Sequence, residues 1–136
     1  MQKTYIIHLS PVAWSRPGVN FKNGAIYDSQ KHLKSVLREN LKRQHVNSEG
    51  EALPLFKGPV RIRGEFVFTY PESWSKSKRE ANMYHQVKPD SDNLEKLLFD
   101  CLSGILIVDD AVISHNEFKK IYGDTPRTVF TVEEIE

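Results

Sequence analysis

Leu94-Glu95-Lys96-Leu97-Leu98-Phe99-Asp100-Cys101-Leu102-Ser103-Gly104 is the stretch that orders the rest of the chain. Leu94, Leu97, Leu98, Cys101 and Leu102 stand at i, i+3, i+4, i+7 and i+8, the spacing of one helix face. A helix over 92–103 follows, with its apolar stripe turned to a core and Gly104 placed as a C-cap. Cys101 on that stripe reads as a small buried hydrophobe. Upstream, Pro89 biases Lys88 away from helical backbone, so the helix starts close to Asp92. Downstream, strands are expected near 111–122 and 127–133, joined by the turn Gly123-Asp124-Thr125-Pro126.

The remaining elements fall into place ahead of this helix. Tyr5, Ile7 and Leu9 alternate with other residues and predict a short opening strand that stops at Pro11. Pro11 to Ile26 is rich in Pro, Gly and Asn and reads as an irregular connection. Asp28 or Ser29 can cap a helix whose face carries Leu33, Val36, Leu37 and Leu41 and which ends near Val46. Val60, Ile62, Phe66 and Phe68 alternate with Arg61, Arg63 and Glu65 as in a half-buried strand. Gly64 interrupts that row and marks a bulge or a close backbone approach. The polar stretch 71–88 has no consistent period and reads as a functional loop that is mobile without its ligand. The order is β-α-β-α-β-β: one α+β domain over 1–136, a small mixed sheet carrying two helices.

Composition narrows the class of protein. The 136 residues are 39% hydrophobic and 27% charged, as in globular proteins. No apolar run approaches the ~18 residues of a membrane span, and the N-terminal apolar stretch is too short for a signal peptide. The expectation is a cytoplasmic protein with no membrane partner. The single cysteine excludes an internal disulfide framework and a cysteine-built zinc site. His8, His32, His45, His85 and His115 show no metal-ligand spacing, and His85 reads as a solvated loop histidine. Residues 1–88 carry 15 Lys and Arg against 7 Asp and Glu, or +8, while residues 89–136 carry 4 against 11, or −7. That split suits a polyanion-binding surface beside an acidic site, although scattered surface charge would give the same count.

The acids fall in two pairs. Asp90 and Asp92 stand where the helix starts, in Lys88-Pro89-Asp90-Ser91-Asp92-Asn93; Asp109-Asp110 stands between the apolar runs Ile105-Leu106-Ile107-Val108 and Ala111-Val112-Ile113. Aspartates at a helix start commonly cap N–H groups and favour the macrodipole, and a β-turn can use Asp-Asp. Brought together, however, three or four carboxylates would hold Mg²⁺, which takes octahedral oxygen ligands and assists phosphodiester hydrolysis. Lys96 lies one helical turn after Asp92, placed to offset developing negative charge or to form an ordinary (i, i+4) ion pair. Trp14 and Trp74 lie in irregular segments beside basic residues, where a ring either stacks on a base or packs in a core or interface.

The block 88–102, Lys-Pro-Asp-Ser-Asp-Asn-Leu-Glu-Lys-Leu-Leu-Phe-Asp-Cys-Leu, followed by Val108-Asp109-Asp110-Ala111, resembles the signature of the RusA family of Holliday-junction resolvases. Arg16-Pro17, Tyr27-Asp28, Pro71 to Lys76 and Lys119 to Gly123 agree with the family pattern, so the resemblance spans nearly the whole chain. Gly18 departs from it, where many members carry a second basic residue, which puts one DNA contact in doubt. Val112 departs too, where Gln is common.

The resemblance implies a Mg²⁺-dependent endonuclease, with Mn²⁺ as a substitute metal, acting as a homodimer on four-way DNA junctions in recombination and repair. It places metal ligation on Asp90, Asp92 and Asp110, within reach of one cation, and the catalytic lysine on Lys96. Asn93, Asp109 and Asp100 take supporting roles. Arg16, Lys76, Lys78, Arg79, Lys88, Lys119 and Lys120 are the phosphate-binding candidates, which set register without reading sequence. Two readings compete with it: a DNA-binding protein of the same fold that does not cut, and a metal-dependent nuclease on flaps or other branched DNA.

Overall fold

The structure, a computed structural model, describes residues 1–136. Four strands form the main sheet: β1 (Gln2–Ile7), β4 (Val60–Thr69), β5 (Ile113–Gly123) and β6 (Arg127–Glu134), in the order β1-β6-β4-β5. β6 runs antiparallel to both β1 and β4, whereas β4 and β5 are parallel. A parallel pair needs a long crossover, and residues 70–112 supply it. A separate two-stranded ribbon joins β2 (Gly18–Val19) to β3 (Ile26–Tyr27).

Period-two patterning decides which face of the sheet is covered. Tyr5, Ile7, Val60, Ile62, Phe66, Phe130 and Val132 point to one side and join a single buried cluster with Leu37 and Leu41 of α1 (Lys31–Gln44). The stripe Leu94, Leu97, Leu98, Cys101 and Leu102 of α3 (Ser91–Leu102) enters the same cluster, as its spacing predicts. α1 packs on α3 and β1, and α3 packs on β5. The other sheet face shows Thr4, Arg63, His115, Glu117 and Lys119 to solvent.

The α+β class and mixed sheet agree with the sequence reading, with three differences. The stretch 71–88 is not an irregular loop: α2 (Lys76–Ala81) lies within it, started by Ser75, whose side chain accepts from the Lys78 N–H. Six polar or small residues carry no apolar period, so the pattern could not register that helix. The connection 11–26 holds the β2–β3 ribbon, whose strands are two residues each, too short to alternate. Val36 is exposed, because α1 needs only Leu33, Leu37 and Leu41 to meet its neighbours. Gly64 proves to be a close approach: a Cβ there would stand 2.4 Å from the Val129 carbonyl oxygen and 2.7 Å from the Phe118 ring. The register irregularity of β4 lies instead between Val60 and Arg61. Gly104 takes φ +81° just beyond α3, a left-handed conformation that glycine adopts without strain.

Candidate active site

Each of the four acids has a local environment that separates its role from the others. Asp90 is the N-cap residue of α3, yet its side chain accepts no cap hydrogen bond. Both carboxylate oxygens take the Lys88 ammonium instead, at 2.8 Å each. That bond holds the Asp90 carboxyl below its ordinary range and the Lys88 ammonium above its own. Asp92 accepts from the Asn93 N–H at 3.0 Å in the first turn, where the helix dipole favours an anion. Asp109 is the cap of a 3-10 turn, Asp110–Val112, and accepts from the Ala111 N–H. Asp110 follows it, exposed, and its carboxylate makes no hydrogen bond.

Capping therefore accounts for Asp109 and leaves Asp90 and Asp110 without a structural task. The chemistry of the set, carboxylate oxygens only, fits a hard divalent cation. The geometry keeps them apart: α3 touches the 3-10 turn, but no three His, Cys, Asp or Glu side chains converge at metal-binding range. Like charges gather only around a counter-charge, and here Lys88 neutralises Asp90 individually while Asp109 turns to its own backbone.

Lys96 is exposed on α3, and the (i, i+4) ion pair with Asp92, the alternative reading, does not form. Its ammonium stands 3.5 Å from the centroid of the Trp14 ring. Asn93 contributes its carbonyl oxygen, which accepts from the Trp14 N–H at 2.9 Å. The Asp100 carbonyl oxygen accepts from Arg38 Nη2 at 2.8 Å, tying α3 to α1. Both residues support the helix through their backbones, a role no side-chain pattern reveals. Next to them, Glu95 accepts from the Asn116 amide of β5 at 2.8 Å.

The basic candidates divide. Lys76 and Arg16 are exposed and unpaired. Lys78 lies 4.6 Å over the Trp74 ring, and Arg79 lies 5.4 Å over Tyr70 while donating to the Trp74 carbonyl oxygen. Trp74, Tyr70 and Tyr122 stack into one aromatic mount beneath α2. His85 belongs to this mount: it is buried and stacked on Phe68 at 4.0 Å, not solvated, and burial pushes its pKa down. Residues 83–85 reach it by pairing along the free edge of β5.

Lys119 and Lys120 are successive strand residues and point to opposite faces. Lys119 is exposed on the open sheet face, whereas Lys120 is half-buried and donates to the Val87 and Pro89 carbonyl oxygens at 2.7 Å each. Lys120 thus fixes the turn that presents Asp90, and burial lowers its pKa. Strict alternation would have revealed that split in the sequence. Of the two departures from the family pattern, Gly18 lies under the far end of the exposed Tyr27 ring, which would have to swing aside for a side chain there. Val112 packs against the core cluster.

A mixed sheet backed on one face by helices, with exposed aspartates at the start of α3 and in the 3-10 turn after it, defines a small α+β domain. The chain matches, over residues 8–133 of its 136, the family model described as Endodeoxyribonuclease RusA, and it belongs to that family. A search of curated proteins gives no match. No helix is long and apolar enough to cross a membrane.

Proposed function

We propose that this protein is a metal-dependent endodeoxyribonuclease that resolves four-way (Holliday) DNA junctions by paired phosphodiester hydrolysis, in recombination and repair. The observation that carries the reading is the family match over 8–133; the resemblance implies metal ligation by Asp90, Asp92 and Asp110 and a catalytic role for Lys96. Asp90, Asp92 and Asp110 would hold Mg²⁺ or Mn²⁺: all three are carboxylates, Asp110 is uncommitted, and Asp90 would exchange its Lys88 partner for the cation. A bound divalent cation supplies counter-charge and lowers the pKa of water. Lys88 releases Asp90 for this purpose and becomes free to meet a phosphate. Lys96 offsets the negative charge that develops on the phosphoryl oxygens. Arg16, Lys76 and Lys78 bind backbone phosphates and orient the duplex arms. A homodimer matches the junction's two equivalent strands with one acidic site per subunit.

The test is incubation of the purified protein with a synthetic four-way junction, a flap and a plain duplex, with and without Mg²⁺. Symmetric paired nicks confined to the junction support the proposal. Equal cutting of flaps would reassign the substrate, and binding without cutting under any divalent metal would leave a DNA-binding protein of this fold. Asp92→Asn should abolish cutting while junction binding persists or tightens, because removing a negative charge reduces repulsion of phosphates.

A further inference from the structure

Trp14 lies in the irregular segment after β1, where a large aromatic has no period to explain it. Three hydrogen bonds fix the backbone around it. Its N–H donates to the Asn93 carbonyl oxygen at 2.9 Å, the Ala13 carbonyl oxygen accepts from Gln30 Nε2 at 2.9 Å, and the Ser15 N–H donates to Gln30 Oε1 at 3.0 Å. The segment is therefore clamped between α3 and the start of α1. The indole is half-buried against the core cluster, and one face receives Lys96 Nζ at 3.5 Å. Lys96 makes no hydrogen bond and no ion pair, although Asp92 stands one turn away on the same helix.

The choice of partner has a chemical consequence. A carboxylate would neutralise the ammonium and occupy its donors. A ring face attracts the cation through its quadrupole, accepts no conventional hydrogen bond and leaves the charge in place. An ammonium held this way is oriented yet keeps its N–H groups for another acceptor. We propose that Trp14 is a positioning residue for Lys96, holding its ammonium in one place and away from Asp92 so that it meets a phosphoryl oxygen without first breaking an ion pair. The proposal rests on the role assigned above to Lys96.

The test uses the full-length protein. Trp14→Leu should lower the single-turnover cutting rate on a four-way junction about 2- to 5-fold, the range a cation–π contact at an exposed site supports. Junction affinity measured without divalent metal should stay unchanged. Trp14→Phe, which keeps a ring face, should recover most of the rate. In a Lys96→Met background Trp14→Leu should cost nothing further, since the two residues act as one unit. Protein labelled with 5-fluorotryptophan gives two fluorine resonances; Lys96→Met should move that of Trp14 and leave that of Trp74 in place, a readout independent of cutting. An equal loss from Trp14→Leu with and without Lys96 would make Trp14 merely structural and overturn the proposal. So would a Phe variant as slow as a folded Leu variant, or an unmoved fluorine resonance, and the last stands even where the Leu variant fails to fold. A Lys96→Met protein that cuts at the wild-type rate would remove the role beneath the proposal, a failure visible in that variant alone.

Discussion

Replacing Lys76, Lys78 and Arg79 together by Ala asks how much of the DNA affinity rests on α2. Each phosphate neutralised by a protein cation releases condensed counterions, so log affinity falls with log salt at about −0.9 per contact on duplex DNA. The structure weights the three cations unequally. Lys76 is exposed and unpaired, and Lys78 is held only by the Trp74 ring at 4.6 Å, so both are free to contact phosphate. Arg79 is half-buried and already donates to the Trp74 carbonyl oxygen. The slope should therefore flatten by about 1.8 from two full contacts, rising to about 2.7 if Arg79 also engages. Between 50 and 200 mM salt the wild-type protein should lose about 10- to 40-fold more affinity than the variant. Fluorescence anisotropy of a labelled four-way junction without divalent metal reads this directly. Alanine is the strongest helix former, so α2 survives the substitution and circular dichroism can confirm it. An unchanged salt slope in the folded variant would refute the reasoning and leave α2 a merely solvated helix.

Packing sets three further expectations, and the paired-cut reading a fourth. The His45 Nε2–H donates to the Pro54 carbonyl oxygen, so the buried neutral ring accepts from Tyr5 O–H at its Nδ1, and Tyr5→Phe should cost about 1–3 kcal/mol in urea unfolding by stranding that nitrogen. Burial lowers the pKa of both His45 and His85, so the unfolded chain binds protons first; stability should be full well above pH 6.5 and fall as pH drops below it, with a flat profile from pH 8 to 5 contradicting the buried neutral rings. Gly64→Ala should cost at least about 1–3 kcal/mol, visible in the thermal midpoint, because its Cβ would meet a strand carbonyl oxygen that cannot move aside. Light scattering at micromolar concentration should give twice the 15.7 kDa chain mass; a monomer would count against the paired-cut reading.

Wherever a periodic apolar face did the work, the architecture was readable from residues alone. The stripe of α3 and the alternation of β4 announced themselves because burial on one face demands a fixed spacing. α2 stayed hidden because its supports are a serine cap and cations laid on the Tyr70 and Trp74 rings just ahead of it, neither of which imprints a period on 76–81. The same limit governs the site. Asp90, Asp92, Asp109 and Asp110 were visible as acids, but only the hydrogen bonds separate the capping Asp109 from the uncommitted Asp110. Lys96 was legible as a helix lysine near Asp92; its true partner, Trp14, lies 82 residues earlier and is brought in by a backbone bond to Asn93.

The cations of this chain are stored in two physically different ways. Lys120 is spent on two carbonyl oxygens, and its withdrawal into the protein stiffens the turn that carries Asp90. Lys78 and Lys96 rest on aromatic faces instead, and Arg79 combines a ring face with one backbone bond. A cation–π contact at an exposed site is worth about 0.5–1 kcal/mol, less than a charge-assisted hydrogen bond to phosphate at about 1.5–3 kcal/mol. Transfer of such a cation from ring to phosphate is therefore downhill, whereas transfer out of a buried double hydrogen bond is not. Within one small domain, the residues that fix the backbone are bonded to it, and those with anions to meet are held by something weaker than the anion. On that criterion Lys88, paired with Asp90 by two short bonds, is the exception among the exposed lysines. Its release must be compensated by whatever positive charge replaces it beside Asp90, so under the proposed function metal loading would free Lys88 for a phosphate.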